Sequence, residues 1–271
     1  MIAAGYDELV AAAVAAPVEG WDFSWLAGRT EGSNPSWSYR DLARGYIART
    51  DELLDVDTGG GELLASLAPL PQYTWATEGW PPNIPVARRR LEPLGVTVLP
   101  AEAGTLPLPD ESVGLILNRH GRLVAPEIWR VLRPGGVLLT QGVGGEDCAD
   151  LNELLGAPPA PARGGTARTA GEMLSAAGLH LTDIREEHPV LTFYDVGAVV
   201  YHLRLVAWQI PDFNPERYDV PLRRLHQRIG AEGALDVHAH RFLIIAERPR
   251  RVPEMSPDHH QQPTNAARGN V

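Results

Sequence analysis

The residues with the clearest chemical potential lie together in the stretch LLDVDTGGGE, residues 53–62. Two acids, Asp55 and Asp57, border the end of an apolar run, and three consecutive glycines, Gly59–Gly61, follow them. Backbone N–H groups exposed at the start of a helix can receive a nucleotide-type ligand, and glycine lets that ligand approach the main chain closely. A flexible surface turn is the alternative interpretation. The adjacent glycines fit neither a dinucleotide-binding G-x-G-x-x-G turn nor a P-loop, because no Lys-Ser/Thr pair follows.

Histidines are the remaining candidates for proton transfer and for metal binding. His120 has the residue type of a general base that works near neutral pH, and a structural or cofactor-binding role is the alternative. His238 and His240 form a conceivable metal-binding pair, but no third ligand with convincing spacing is evident, so we predict no metal site. The pair His259-His260 lies in a polar stretch and is expected to be solvated.

Short apolar runs alternate with helical stretches from residue 53 onward, and these elements must position the residues above. Alternation at this spacing predicts a parallel sheet that is covered by helices on both faces. The predicted strands are Glu52–Val56, Tyr73–Thr77, Val96–Leu99, Val113–Leu117, Val137–Gln141, Leu179–Arg185 and Phe242–Glu247. The predicted intervening helices are Ala65–Leu70 (with a possible start at Leu63), Val86–Leu94, Pro126–Leu132 and Thr169–Ala177.

The sheet domain is predicted to span residues 51–250 and to carry an insertion at residues 186–241. This insertion contains two amphipathic stretches, Val196–Gln209 and Pro221–Ile229, and an insertion of that size inside a compact domain usually carries function. Residues 251–271 are polar and lack periodicity, so they are predicted to form a disordered tail.

Residues 1–50 precede the sheet domain and are rich in aromatic side chains. Two helices are predicted here, at residues 3–16 and 41–50. Between them lie Trp21, Trp25 and Trp37, which form either a small satellite core or a lid whose aromatic faces cover a ligand.

Four motifs in a fixed order resemble those of the class I S-adenosylmethionine-dependent methyltransferases. The first is an acid-x-G-x-G-x-G turn after the first strand of the sheet. The matching stretches are, in chain order, the turn with Asp55, Asp57, Gly59 and Gly61, then Glu78 with WPPN at 80–83, PAEAGTLPLPDESVGLIL at 100–117 and IWRVLRPGGVL at 128–138. Each motif is weak alone, and the combination identifies the family.

The resemblance implies an α/β fold with a doubly wound, seven-stranded, mostly parallel sheet whose reversed last strand pairs with the sixth. The cofactor would be S-adenosylmethionine, bound at the carboxyl ends of the strands. Glu78 is then the acid that binds both ribose hydroxyls, because one carboxylate offers two acceptor oxygens to a vicinal diol. Trp80 would pack on the adenine, Glu102 would accept from its N6 amino group, and Ala103 would supply a backbone N–H. The other implied cofactor-binding residues are Asp55, Asp57, Thr58, Gly59, Gly61 and Asn118.

Asp57 departs from the family pattern, because it stands where the first glycine of the turn is expected. Its carboxylate could repel the carboxylate of the cofactor or could hydrogen-bond the cofactor's ammonium group. A third reading is that the fold has lost this binding and serves another purpose. Glu78, Glu102 and Gly59–Gly61 are all in place, which favours retained binding.

The implied activity is methyl transfer to N or O of a small, aromatic or heterocyclic acceptor. Trp25, Phe193, Tyr194 and Tyr201 are the candidate acceptor-binding residues, since a high density of aromatic side chains suits a planar ligand. His120 would lie beside the transferable methyl group, and Arg29 or Tyr39 could donate to the carboxylate of the cofactor. The alternatives are a non-methylating protein on the same fold and an RNA methyltransferase. The chain resembles loosely the catalytic domain of a bacterial 23S rRNA guanine methyltransferase, but it has none of that relative's cysteine-ligated zinc module.

Composition argues against a nucleic-acid partner. The chain of 271 residues has a formal net charge of −10, whereas a general phosphate-backbone binder needs a concentrated basic face. Its single cysteine, Cys148, allows no intrachain disulfide. The N-terminus carries Asp7 and Glu8 in place of a basic region, so we expect no export signal, no membrane span, a cytoplasmic location, and a monomer or homodimer.

Overall fold

The computed structural model describes residues 5–18, 23–32, 34–160 and 165–251. Within these ranges the helices are α1 (Tyr6–Ala15), α2 (Tyr39–Ile47), α3 (Glu62–Ala65), α4 (Ile84–Leu91), α5 (Ala125–Val131), α6 (Ala149–Leu155), α7 (Ala167–Ala176), α8 (Val196–Leu205) and α9 (Asp219–Glu232). The strands are β1 (Thr30–Gly32), β2 (Glu52–Val56), β3 (Tyr73–Glu78), β4 (Thr97–Pro100), β5 (Val113–Arg119), β6 (Leu132–Val143), β7 (His180–Glu187), β8 (Val190–Phe193), β9 (Leu235–His238) and β10 (Arg241–Glu247). Trp21, the pair His259-His260 and residues 252–271 lie outside the described ranges.

Seven of the described strands form one sheet in the order β4-β3-β2-β5-β6-β10-β7. Strands β2 to β6 pair in parallel, and β10 lies antiparallel between β6 and β7. The predicted doubly wound sheet with a reversed last strand is confirmed, and each of the seven predicted strands belongs to it. The connections run outward in opposite directions from β2 and β5, which makes the gap between these strands the switch point where ligands bind in open α/β sheets.

Apolar side chains cover both faces of this sheet. One buried cluster joins β2, β5, β6 and β10 with α5 and α7, and it includes Leu54, Ile116 and Leu138. The other joins the opposite face to α2 and α4 and includes Leu53 and Leu117. Continuous burial of β2 and β5 on both faces explains why these strands lack apolar and polar residues in alternation.

A second core forms between the N-terminal segment and the insertion. It packs α1 against α8 and also includes α6, α9 and a three-stranded antiparallel sheet in the order β1-β8-β9. The sequence analysis did not predict this small sheet or α6. Each strand of the small sheet has three or four residues, too few for a period to stand out, and the partners are far apart in the chain.

Helix α3 is shorter than the sequence predicted. It ends at Ala65, whereas the predicted helix continued to Leu70 and therefore included Pro69. Proline lacks the N–H that a helix interior needs, and it disfavours helical backbone in the residue before it. The helix accordingly stops ahead of Pro69. Among the described residues no helix has the length and apolarity that crossing a membrane requires.

Candidate functional site

The turn after β2 has a left-handed backbone at alternate residues. Its φ angles are 56° at Asp57, 64° at Gly59 and 81° at Gly61. Glycine adopts this conformation without strain, and a Cβ atom added at Gly61 would lie 2.7 Å from Cγ of Leu91. Asp57 therefore keeps the backbone shape of the glycine that the motif expects, and aspartate tolerates that shape better than most residues.

Asp57 connects this turn to the loop that follows β5. Its Oδ2 accepts a hydrogen bond from the backbone N–H of Arg122 over 2.8 Å. A Cβ atom added at Gly121 would lie 2.7 Å from Cβ of Asp57 and 2.7 Å from Nδ2 of Asn118, so only glycine allows the loop to pack this closely. Burial raises the pKa of Asp57, and the contact with Arg122 partly offsets that rise.

Glu78 ends β3 with its carboxylate turned toward the same turn. The side chain is only 6% exposed, and one oxygen, Oε1, accepts from the backbone N–H of Trp80 over 2.7 Å. Burial raises the pKa of Glu78, while hydrogen bonds from Trp80, the side chain of Asn83 and the backbone of Gly59 lower it. The Trp80 side chain itself is half exposed.

Glu102 lies next to Glu78 at the end of the neighbouring strand. The backbone N–H of Ala101 donates to the carbonyl of Glu78 over 3.1 Å, and a Cβ atom at Gly79 would approach Cγ of Glu102 within 3.1 Å. Glu102 is exposed and Ala103 is buried. The ends of β2, β3 and β4 thus bring the predicted acids onto one rim of the sheet.

Asp55 lies two residues before Asp57, within β2, and is almost fully buried. Burial raises its pKa to about 7, and the negative charge of Asp57 adds to the rise. Burial is therefore the largest cause of the raised pKa in each of three acids at the ends of β2 and β3, namely Asp55, Asp57 and Glu78. A positively charged ligand would favour the ionised forms of these three carboxyl groups.

Asn118, at the end of β5, carries a buried donor that lacks a partner. The side chain is 1% exposed, and its Oδ1 accepts from the Thr140 hydroxyl over 2.9 Å. Its Nδ2 makes no hydrogen bond to any of the described residues. A buried amide donor without a partner is costly, so a ligand that accepts from it would stabilise this site.

His120 follows Asn118 in the loop and is held by a chain of hydrogen bonds. The indole N–H of Trp37 donates to Oε1 of Gln141 over 2.8 Å. This fixes the orientation of the Gln141 amide, and its Nε2 lies 3.1 Å from Nε2 of His120. Because the amide nitrogen can only donate, Nε2 of His120 must accept, and the ring proton is on Nδ1.

The electrostatic surroundings of His120 favour the same neutral form. Desolvation by the surrounding protein lowers the pKa of His120, and the positive charges of Arg119 and Arg241 lower it further. The residue is nevertheless exposed to solvent. The backbone at His120 is left-handed, with a φ of 62°. Left-handed backbone at a non-glycine residue is uncommon and often marks a functional segment.

Three of the four predicted acceptor-binding aromatic residues pack in or against the second core, and Tyr194 is the most exposed of the four. Phe193 and Tyr201 are buried in the second core, and Trp25 stacks on Tyr201 with ring centroids 4.7 Å apart. Tyr201 donates to the carbonyl of Pro17 over 2.9 Å. Tyr194 donates its hydroxyl proton to Glu31 and is 40% exposed. These four aromatic residues mainly join the insertion to the N-terminal segment.

The two residues predicted to reach the cofactor's carboxylate also have partners within the protein. Arg29 lies 2.8 Å from the Asp195 carboxylate and over the ring of Trp25. Tyr39 is buried, and its hydroxyl donates to the carbonyl of Leu139 over 3.2 Å.

Gln141 and Arg119 are the site residues that sequence reasoning missed. Gln141 was assigned to the end of a predicted strand, and nothing in its local pattern indicates that it orients a histidine. Arg119 precedes His120, and its guanidinium has no hydrogen-bond or ion-pair partner among the described residues. Its position at the end of β5 was the one available signal.

Comparison with known proteins agrees with this geometry. Residues 54–140 match the family model described as a methyltransferase domain. Comparison with curated protein sequences gives no match. Among solved structures, the chain is similar to the YcgJ protein from Bacillus subtilis, with 19% identity and a TM-score of 0.57 over 79% of this chain and 99% of that one.

Two further solved structures share the fold. A functionally unknown protein from Deinococcus radiodurans R1 has 14% identity and a TM-score of 0.56, covering 81% of this chain and 90% of that one. The (4+2)-cyclase SpnF has 18% identity and a TM-score of 0.52, covering 78% of this chain and 81% of that one. At these identities the likeness is one of fold.

Proposed function

We propose that this chain, a member of the class I methyltransferase family by its matching domain and its fold, binds S-adenosyl-L-methionine and transfers the methyl group to N or O of a small acceptor. The cofactor would lie across the carboxyl ends of β2 to β5. S-adenosyl-L-homocysteine is the product that this reaction leaves.

The observation that carries the proposal is the pairing of Glu78 and Glu102 on adjacent strand ends. Glu78 uses Oε1 on the Trp80 backbone, and the carboxylate retains acceptor capacity for ribose hydroxyls. Glu102 is exposed one strand further along the rim, on the side where the base of a nucleoside would follow its sugar. Trp80 contacts Glu78 through its backbone N–H, and its half-exposed ring can cover the adenine.

The other end of the cofactor fits the switch point between β2 and β5. The unpartnered Nδ2 of Asn118 can donate to an oxygen of the cofactor. Burial raises the pKa values of Asp55, Asp57 and Glu78 on this rim, and neighbouring carboxylates add to the rise. S-adenosylmethionine would bring a sulfonium and an ammonium group to these acids. We therefore assign Asp57 to the ammonium group.

The bound cofactor supplies an electrophilic methyl group, and the residues of this chain position the acceptor. The Nε2 lone pair of His120 is used by Gln141, so His120 acts as an Nδ1–H donor that orients the acceptor. Nitrogen nucleophiles need little beyond alignment for such a transfer. The guanidinium of Arg119, which has no hydrogen-bond or ion-pair partner among the described residues, favours an acceptor with an anionic group.

Calorimetric titration with S-adenosyl-L-homocysteine tests the cofactor. We expect micromolar binding, and Glu78→Ala should weaken it by roughly 1.5–3 kcal/mol, the scale of hydrogen bonds to a charged group. The control is Glu172→Gln, which changes an exposed side chain on α7 and should leave the affinity for S-adenosyl-L-homocysteine unchanged. Undetectable binding at millimolar ligand would contradict the proposal.

A second candidate is a protein on the same fold that does not transfer methyl. Two observations favour it: Oδ2 of Asp57 is already used by Arg122, and one protein of similar fold is named as a cyclase. Incubation with methyl-labelled cofactor and a metabolite extract separates the two candidates. Label leaving the cofactor for a small molecule supports methyl transfer, and cofactor that binds but keeps its label supports the second candidate. Label in RNA, with steep salt dependence, would indicate an RNA methyltransferase instead.

A further inference from the structure

Arg119 continues one face of β5 to the rim of the sheet. Leu117 on this strand packs in the cluster that also contains Trp37 and α2. Because side chains alternate along a strand, Arg119 lies on the same face two residues further on, at the end of β5. It is paired in register with Gln141 of β6, whose amide contacts both Trp37 and His120. Arg119 therefore lies at the α2 side of the rim, next to His120.

Arg40 approaches the same place from the N-terminal segment. It is the second residue of α2 and is exposed. The residue before it, Tyr39, is anchored on β6 because its hydroxyl donates to the carbonyl of Leu139. Desolvation is the largest cause that lowers the pKa of Arg119, and the positive charges of Arg241 and Arg40 lower it further. Three guanidinium groups thus act on one another here, and an anion would offset their repulsion.

Of these three guanidinium groups, only that of Arg241 has a partner. Arg241 forms an ion pair with Asp147. Arg119 and Arg40 form no hydrogen bond and no ion pair with any residue that the structure describes. Asp55 acts on Arg119 through its charge, but Asp55 is almost fully buried within β2. Arg119 and Arg40 therefore keep their donors available to a ligand.

His120 adds a third donor to this basic corner, which we define as Arg40, Arg119 and His120. The Nε2 atom of His120 accepts from Gln141, so Nδ1 carries the proton, and Nδ1 has no hydrogen-bond partner among the described residues. The basic corner thus offers N–H donors and no free acceptor. An amine would present further donors to it, whereas every oxygen of a carboxylate or phosphate group accepts. The planar fork of arginine binds such groups through two parallel hydrogen bonds.

From these contacts we propose that the basic corner binds a carboxylate or phosphate group on the methyl acceptor. Arg119 and Arg40 would hold the anionic oxygens, and the Nδ1–H of His120 would donate to the same group. The term acceptor rests on the proposed function, whereas the anion site rests on the donors alone. Since Arg40 belongs to α2, the N-terminal segment would supply one of the two arginines that select the acceptor.

The test compares anionic ligands with a neutral ligand of the same shape. The full chain, with isotope-labelled arginine and histidine, is titrated with benzoate, benzamide and phenyl phosphate, both with and without S-adenosyl-L-homocysteine. Nuclear magnetic resonance follows the Nε–H signal of Arg119 and the ring signals of His120. We expect an anion to shift these signals and to bind about tenfold or more tightly than benzamide. The preferred anion shows whether the group is a carboxylate or a phosphate.

Substitutions assign the anion preference to the two arginines. Arg119→Gln and Arg40→Gln should each weaken binding of the preferred anion by about tenfold and leave benzamide binding unchanged. Arg119→Lys retains the charge without the planar fork and should lose less than Arg119→Gln. Arg49→Gln is the matched control, because Arg49 is an exposed arginine two residues beyond the other end of α2. Thermal unfolding verifies that each variant is folded.

Several results would overturn the proposal. They are equal affinity for benzoate and benzamide, no shift at Arg119 with millimolar anion, or an anion preference that survives both Arg119→Gln and Arg40→Gln. An equally large loss of S-adenosyl-L-homocysteine affinity in Arg119→Gln would also overturn it, because the guanidinium would then hold the cofactor's own carboxylate.

The proposed function fails in a distinguishable way. A cofactor that does not bind, with an anion preference that still depends on Arg119, contradicts methyl transfer and supports the anion site. If label does leave the cofactor, the labelled small molecules from a metabolite extract should be retained by an anion exchanger at neutral pH. Labelled small molecules that are not retained would overturn the assignment of the anion site to the acceptor.

Discussion

Nε2 of Gln141 lies 3.1 Å from Nε2 of His120. The same amide accepts from the Trp37 indole, so its nitrogen cannot turn away from the histidine without leaving the Trp37 N–H unpaired. The contact therefore fixes a tautomer, and it opposes protonation of His120 because a protonated ring has no lone pair to accept with.

His120 should accordingly stay neutral over the range in which an ordinary histidine titrates. A nuclear magnetic resonance titration should show no protonation of His120 near its usual pKa. The unfolded chain then binds more protons than the folded one below that value, so this residue's contribution to stability falls as pH falls below about 6.5. Gln141→Glu, which puts a carboxylate against the ring, should raise the pKa of His120. Titration of the wild-type residue near pH 6.5 would refute the fixed tautomer.

Asp57 should tolerate asparagine and glycine better than alanine. Asparagine preserves an acceptor for the Arg122 N–H, tolerates left-handed backbone and removes a charge whose burial is unfavourable, so Asp57→Asn should be at least as stable as the wild type. Asp57→Gly loses the hydrogen bond alone. Asp57→Ala loses it and also places a Cβ in left-handed backbone, a further cost of about 1–2 kcal/mol.

Urea denaturation at neutral pH gives this order of stabilities for Asp57. Equal stability of the alanine and glycine variants would show that the left-handed backbone at Asp57 is not maintained in solution.

The asparagine variant also tests the role of Asp57 in cofactor binding. If Asp57 binds the ammonium group, Asp57→Asn should weaken S-adenosyl-L-homocysteine binding. If the carboxylate repels the cofactor, the same change should strengthen it.

Trp37 and Trp25 should differ in their effects, although both belong to the segment interpreted from sequence as a core or a lid. Trp37 is buried against the sheet, and Trp37→Phe leaves the buried Oε1 of Gln141 without its donor, at a cost of about 1–3 kcal/mol. Trp25→Phe retains a ring over Tyr201 and should cost less. Thermal unfolding measures both, and the His120 resonances should move in Trp37→Phe alone.

Comparing the Trp37 and Trp25 variants distinguishes a core from a lid better than a deletion of the N-terminal segment does. Deleting residues 1–38 would remove Trp37 from the core together with any lid, so loss of turnover in that variant would not distinguish the two roles. If Trp37→Phe unfolds like the wild type and leaves His120 unchanged, Trp37 does not hold Gln141 in solution.

The sequence alone determined the sheet and the acids on its rim. The strands β5 and β10 have apolar runs through their centres, and β2 has a shorter one, because both of their faces are buried, and that pattern is local. The resemblance to a family gave Asp55, Asp57, Glu78 and Glu102 their expected roles. They lie on one rim because each occupies a strand or a strand end, and the carboxyl ends of parallel strands share one edge of a sheet.

Only the tertiary structure decided which side chains meet across that edge. Gln141 reaches His120 from a neighbouring strand, and His188 meets His240 from another, at separations in sequence that no helical or strand period encodes. The aromatic residues of the insertion show the same limit, because their composition suits either a ligand or a core. Phe193 and Tyr201 are core because α1 lies against α8, a contact set by long-range packing between two segments that each carry an unpaired apolar surface.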